Sequence, residues 1–130
     1  MAHRILIVDD ERRIADTSAL ILQAQGYQTA VAYDAENGIA RCHEFLPHLI
    51  LTDVVMPGMS GIEMAVALRR EFPGCAILLI SGQAATADML EMARRQGHTF
   101  ELLAKPVHPT VLLKRVAQIF KSGDAVAVAK

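Results

Sequence analysis

Three carboxylates, a hydroxyl and an amine each stand directly behind a short apolar run in this sequence. Asp9 and Asp10 follow Ile5-Leu6-Ile7-Val8, and Asp53 follows Leu49-Ile50-Leu51-Thr52. Ser81 follows Leu78-Leu79-Ile80, and Lys105 follows Leu102-Leu103-Ala104. Taken singly, each has an ordinary reading: an Asp behind a strand caps a helix or makes a turn, and a Lys there is exposed. Taken together they are costly, because crowded carboxylates raise one another's pKa unless a cation neutralises them. An oxygen-only ligand set that leaves room for water suits Mg²⁺. Lys105 then serves as a point charge for a phosphate oxygen. A carboxylate beside Mg²⁺ and a lysine is a nucleophile toward phosphorus, and the product is an aspartyl phosphate. Asp53 stands alone and is the nucleophile candidate. Asp9 and Asp10 form the metal pair, directly or through water, and Ser81 donates a hydrogen bond to the arriving phosphoryl oxygen.

Such a set works only if the elements bring it together. Five runs rich in aliphatic or β-branched residues, at 5–8, 29–33, 49–52, 76–80 and 100–104, predict strands. The segments between and after them have helical spacing. In the first, Ile14, Ile21, Leu22 and Gln25 form the inward stripe and Gly26 is the stop. The second covers 35 to about 45, with Ile39, Cys42 and Leu46 spaced at threes and fours and Pro47 forbidding continuation. The third starts at Ser60, which with Glu63 reads as a capping box, followed by Ile62, Ala65, Val66, Arg69 and Phe72. The fourth spans about 86–96, with Met89, Leu90 and Ala93 inward and Gly97 as its stop. The last begins near Pro109 and carries Leu112, Leu113, Val116, Ile119 and Phe120 inward. Strand-helix alternation five times over implies a parallel sheet covered on both faces by right-handed crossovers. In an open α/β sheet the carboxyl ends of the strands share one edge, where ligands bind. The second strand alone brings no obvious group there.

The chain has 130 residues, 52% hydrophobic and 21% charged, with a formal net charge of -1. This is one domain with a substantial core, and the apolar content excludes a disordered chain. The charge balance offers no bulk field for nucleic acid or an anionic membrane. The first apolar run is too short for a secretory signal or a membrane span, and Cys42 and Cys75 form no CxxC pair, so a cytoplasmic chain is expected. Residues 122–130 read as a short tail without an output domain.

The same stretches resemble a known family, the CheY-like receiver domains of bacterial two-component response regulators. They are Ile5-Leu6-Ile7-Val8-Asp9-Asp10-Glu11, Leu51-Thr52-Asp53-Val54-Val55-Met56-Pro57-Gly58-Met59-Ser60-Gly61, Leu79-Ile80-Ser81-Gly82 and Ala104-Lys105-Pro106, in the family's order and intervals. The resemblance implies a flavodoxin-like, doubly wound α/β fold with five parallel strands in order 2-1-3-4-5 and five helices, the receiver covering 1–121. It implies that Asp53 takes a phosphoryl group from a histidine kinase or phosphotransfer protein. It implies Mg²⁺ held by Asp10, Asp53 and the backbone carbonyl of Val55, with Asp9 acting through water. It implies phosphoryl contacts from Ser81 and Lys105, and a cis Lys105-Pro106 bond.

In the family, phosphorylation draws the Ser81 position inward and rearranges the face of the fourth helix, fifth strand and fifth helix, which also mediates homodimers. An aromatic residue three positions before the lysine takes part; here that position is Leu102, with Phe100 two residues earlier, and the stretch from Gly97 to Leu102 is one residue longer than usual. Leu102 and Phe100 are therefore the switch candidates, with the choice between them open. Val55 and Gln83 border the path of attacking water, and an apolar Val55 cannot orient it, so a long-lived phosphoryl group is expected.

The five histidines, His3, His43, His48, His98 and His108, show no metal-ligand spacing. The pairs Arg69-Arg70 and Arg94-Arg95 suit helix C-termini. Met89 and Met92 are candidates for an adaptable partner surface. The expected function is a stand-alone phosphoacceptor that turns over no external substrate and signals to another protein by contact, without binding nucleic acid or membrane. Rival readings are an interaction module that is never phosphorylated and a metal-dependent phosphatase. The latter generally carries a second Asp two residues after its nucleophile, where this chain has Val55.

Overall fold

A computed structural model describes residues 2–82 and 86–129. Strands and helices alternate throughout: β1 (Arg4–Val8), α1 (Arg12–Gln23), β2 (Gln28–Ala32), α2 (Ala35–Phe45), β3 (Leu49–Asp53), α3 (Gly61–Glu71), β4 (Ala76–Ser81), α4 (Thr86–Arg95), β5 (Glu101–Ala104) and α5 (Pro109–Ala129). All strand pairs are parallel, in the order β2-β1-β3-β4-β5. The flavodoxin-like arrangement expected from the sequence is thus the one observed, and α5 carries the backbone on to Ala129.

Alternation along the strands divides the core in two. Leu6, Val8, Ile50 and Leu79 point to one face, where α2, α3 and α4 bring Cys42, Met64, Leu68 and Ala93. Ile5, Ile7, Leu49, Leu51 and Leu78 point to the other, where α1 and α5 bring Ala19, Leu22, Leu112 and Val116. β3 lies at the centre and is buried at every position. Each of its large aliphatic side chains stabilises the fold by about 1.5–3 kcal/mol through removal from water.

Local chemistry sets the helix ends. Asp34 caps α2 by accepting from the Asn37 N–H at 2.8 Å. Ser60 and Glu63 form the reciprocal capping box expected for α3. Gly97, at φ 91°, supplies the left-handed turn that follows α4.

Two expectations need correction. Ile14 and Gln25 do not belong to the buried stripe of α1: Ile14 is 40% exposed, Gln25 is exposed and lies past the end of the helix, and Ala15, Ala19 and Leu22 face the sheet. Alanines at that spacing let the helix lie close to the sheet, and Ile14, one residue before Ala15, falls outside that face. Leu46 does not continue the apolar spacing of α2 either. It is the helix C-cap in the left-handed region at φ 51° and is 52% exposed. Pro47 disfavours helical backbone at the residue before it, and the chain turns there.

Candidate functional site

Parallel register lines up the strand ends. Val8 pairs with Thr52, Asp53 with Ile80, and Ser81 with Ala104. Asp9, Asp53, Ser81 and Lys105 therefore project from one edge of the sheet. The Lys105 N–H donates to the Ser81 carbonyl at 3.0 Å, which fixes the start of the loop after β5. The Lys105-Pro106 bond is cis, as the resemblance implied.

At that edge, carboxylate oxygens of Asp9, Asp10 and Asp53 lie within 4.8 Å of one another. The Lys105 Nζ donates to Asp53 Oδ2 at 2.9 Å and lies 3.6 Å from Asp9 Oδ2. Asp9, Asp53 and Ser81 are buried, whereas Asp10 is exposed. Asp9 Oδ1 accepts the Glu11 N–H at 2.9 Å. The N-cap of α1 is Glu11 and makes no side-chain cap bond, so Asp10 is not the cap of that helix.

The electrostatics follow from this crowding. Burial pushes the Asp9 carboxyl above its usual range; the Glu11 amide and Lys105 oppose this, and Asp53 and Asp10 add to it. Burial alone would lower the Lys105 ammonium, but Asp53, Asp9 and Glu11 together outweigh it and hold the pKa above its usual value. Three carboxylates with one lysine among them form an oxygen-rich pocket with excess negative charge. That donor set fits a hard divalent cation such as Mg²⁺.

Other candidates stand elsewhere. Val55 is 44% exposed on the loop after β3. Gln83 lies outside the described residues. Leu102 is an exposed residue of β5, whereas Phe100 precedes that strand and packs against the α2–α3–α4 core. The Arg69 guanidinium sits 4.1 Å over the Phe100 ring, and its Nη1 donates to the Thr99 carbonyl at 2.6 Å. Phe100 is thus clamped from α3.

Among the described residues no histidine joins the acidic trio. His43 pairs with Glu71; its hydrogen bond to the Ile39 carbonyl, then Glu71, raises its pKa. His48 Nδ1 accepts the Arg4 N–H, and His3 stacks on Phe120. Both cysteines are free thiols, and burial pushes Cys42 up to about 11 and Cys75 to about 12.

Two features escaped the sequence reading. A cavity of ≈ 540 Å³ adjoins the acidic trio, lined by Ile14 and Ile21 of α1, Leu51 of β3, Val107, and Leu112 of α5, together with Asp9, Asp53 and Lys105. The stripe Ile14, Thr17, Ser18, Ile21, exposed or half-buried, has helical spacing and was the available signal. The second is Thr52, fully buried, whose Oγ1 donates to the Asp53 carbonyl at 3.0 Å.

A five-stranded parallel sheet in this order, with acidic groups gathered at its carboxyl edge, defines a receiver-type signalling domain. The family model of the response regulator receiver domain matches residues 5–117, and the chain belongs to that family. It is 31% identical over 124 residues to the DNA-binding response regulator MtrA of Mycobacterium tuberculosis (strain ATCC 25618 / H37Rv), covering 95% of this chain and 53% of that protein. It is 40% identical over 104 residues to a response regulator receiver protein of Anaeromyxobacter sp. (strain Fw109-5), covering 80% of this chain and 43% of that one. The chain spans about half the length of the curated relatives it matches. Among solved structures, a CheY-like receiver domain protein from Methanospirillum hungatei JF-1 superposes with a TM-score of 0.87 at 28% identity, covering 96% of this chain and 98% of that one. Chemotaxis protein CheY4 of Vibrio cholerae gives 0.81 at 26% identity, covering 92% and 99%. Among the described residues no helix is long and apolar enough to cross a membrane.

Proposed function

We propose that Asp53 is the phosphoacceptor of this receiver domain, taking a phosphoryl group from a phosphohistidine on a histidine kinase or phosphotransfer protein. The observation that carries this reading is Lys105 Nζ at 2.9 Å from Asp53 Oδ2 inside a trio of carboxylates within 4.8 Å of one another. An Asp53 carboxylate oxygen attacks phosphorus; the O–P bond forms as the P–N bond of the donor breaks, and the imidazole leaves with the electron pair. Lys105 aligns the carboxylate before attack and meets the negative charge of the phosphoryl oxygens afterwards. Ser81, buried at the end of β4, supplies a hydroxyl to those oxygens. Asp10, Asp53 and the Val55 carbonyl would hold Mg²⁺ directly and Asp9 through water. When bound, Mg²⁺ neutralises charge on the phosphoryl oxygens in the transition state.

The cavity beside Asp53 supports a protein donor. Its apolar lining from α1 and α5 offers a seat for a partner's side chain next to the phosphoacceptor. Met92, Leu102 and Val111 are exposed on α4, β5 and α5, which supports a protein-contact output on that face, including a phosphorylation-dependent homodimer. On this reading the domain acts in the cytoplasm. It catalyses only its own phosphorylation and dephosphorylation, and 1–121 suffices as the receiver without direct binding of nucleic acid.

Incubation with Mg²⁺ and acetyl phosphate, followed by intact mass, tests the reading. One phosphoryl adduct is expected for the wild type and none for Asp53→Asn. No adduct on the wild type would favour an interaction module, and sustained phosphate release at enzymatic turnover would favour a phosphatase.

A further inference from the structure

We propose that the Thr52 hydroxyl is a positioning group for the phosphoacceptor, acting through the backbone rather than on the phosphoryl group. The proposal rests on Asp53 being the acceptor and on the Val55 carbonyl serving the metal.

Thr52 lies one residue before Asp53 in β3 and is fully buried. Its side chain shares the face of Ile50, which packs into the α2–α3–α4 core. At an apolar position valine fills the same volume without the cost of burying a hydroxyl, a cost that only a hydrogen bond offsets. The hydroxyl makes that bond to the neighbouring Asp53 carbonyl, at 3.0 Å.

The same carbonyl is where α3 touches the strand. A Cβ built on Gly61 would fall 2.0 Å from the Asp53 carbonyl oxygen and 3.1 Å from Thr52 Oγ1. Only glycine allows this approach. The Gly61 N–H donates to the Val54 carbonyl at 2.8 Å, and the Val54 N–H donates to the Ile80 carbonyl at 3.1 Å. The two peptide groups that lead from Asp53 to Val55 are therefore both restrained. Thr52 and β4 hold the first at its carbonyl and its N–H, and α3 holds the second at its carbonyl. These two peptides set where the Asp53 carboxylate and the Val55 carbonyl sit relative to each other. Releasing the first leaves every side chain of the acidic trio in place but loosens the frame they share. Mg²⁺ affinity and phosphorylation rate then fall together.

The test compares Thr52→Val with Thr52→Ser. Mg²⁺ binding is followed by calorimetric titration, phosphorylation by acetyl phosphate is followed by intact mass, and urea unfolding is measured in EDTA. Thr52→Val is expected to weaken Mg²⁺ binding and slow phosphorylation about threefold to tenfold, the range for one hydrogen bond. Thr52→Ser restores the hydroxyl and is expected to recover both, whichever of the two variants is more stable in EDTA. If Thr52→Val does not fold, Thr52→Ala against Thr52→Ser makes the same comparison. The proposal is overturned if the hydroxyl-free variant binds Mg²⁺ and accepts the phosphoryl group like the wild type. It is also overturned if Thr52→Ser loses as much, because side-chain volume is then responsible. A wild type that binds no Mg²⁺ and takes no phosphoryl group overturns the phosphoacceptor reading, and this proposal with it.

Discussion

The two edges of the sheet use polar residues in opposite ways. At the amino edge, the Arg4 Nε donates to the Phe45 and Leu46 carbonyls at 3.0 Å each, and the Arg4 N–H donates to His48 Nδ1 at 2.9 Å. His3 stacks on Phe120 with ring centroids 4.0 Å apart. Each contact joins one part of the fold to another, and among the described residues no carboxylates are gathered there. At the carboxyl edge, three carboxylates face each other around one lysine. That arrangement works against the fold: burial first, and the neighbouring carboxylates of Asp53 and Asp10 after it, push the Asp9 carboxyl above its usual range. Polar groups that serve structure find backbone partners. On the proposed function, polar groups that serve chemistry are held against one another until a cation and a phosphoryl group arrive.

Substitutions at the two edges should therefore separate cleanly. The largest effect is expected from Lys105→Ala: phosphorylation by acetyl phosphate slows by about 10²-fold, the usual scale for removing one charge-stabilising donor. A stopped time course read by intact mass measures it, and a change below a few-fold would break the contrast between the edges. Ile14→Asp sharpens the contrast within the carboxyl edge. Transfer from a phosphohistidine protein should fall about tenfold, as for a moderate interface contact, while transfer from acetyl phosphate stays unchanged. Equal loss with both donors would show that the cavity serves the fold and not a partner.

The next effect lies in pH. Asp9 is raised in the folded state, so the folded protein holds that proton more tightly than the unfolded chain. Stability in EDTA should then fall as pH climbs from the usual carboxylate range through the raised value, and level off above it. Asp9→Asn should flatten that fall, raise stability at neutral pH and weaken Mg²⁺ binding. Urea unfolding across pH checks it, and an unchanged profile would mean that burying the Asp9 carboxylate costs the fold nothing. The smallest functional effect belongs to the amino edge. His48→Ala should cost about 1 kcal/mol of stability by removing the partner of the Arg4 N–H, with no change in phosphorylation rate. A slowed rate would contradict the division of labour.

Much of this was legible in the sequence because its signals are local. The Ser60–Glu63 box marks the start of α3, and Pro47 closes α2. Five aliphatic runs gave five strands, and the residues behind them gave the acidic trio with Lys105. The stripe of α1 was misread because alanines carry little hydrophobic signal, so Ile14 and Ile21 drew attention that belonged to Ala15 and Ala19. The cavity they line appears only when α1, β3 and α5 come together. Thr52 was invisible for a similar reason. Its role depends on the approach of Gly61 to the Asp53 carbonyl, a contact between residues eight positions apart that no local pattern announces.

The central claim is that a phosphoryl group resides on Asp53. Borohydride reduction of the acetyl phosphate-treated protein tests it most directly, because an acyl phosphate is reduced to an alcohol and leaves homoserine where the aspartate stood. A peptide map is predicted to show homoserine at position 53 alone, only when Mg²⁺ was present. Homoserine at Asp9 or Asp10, or none at any position, would contradict the account.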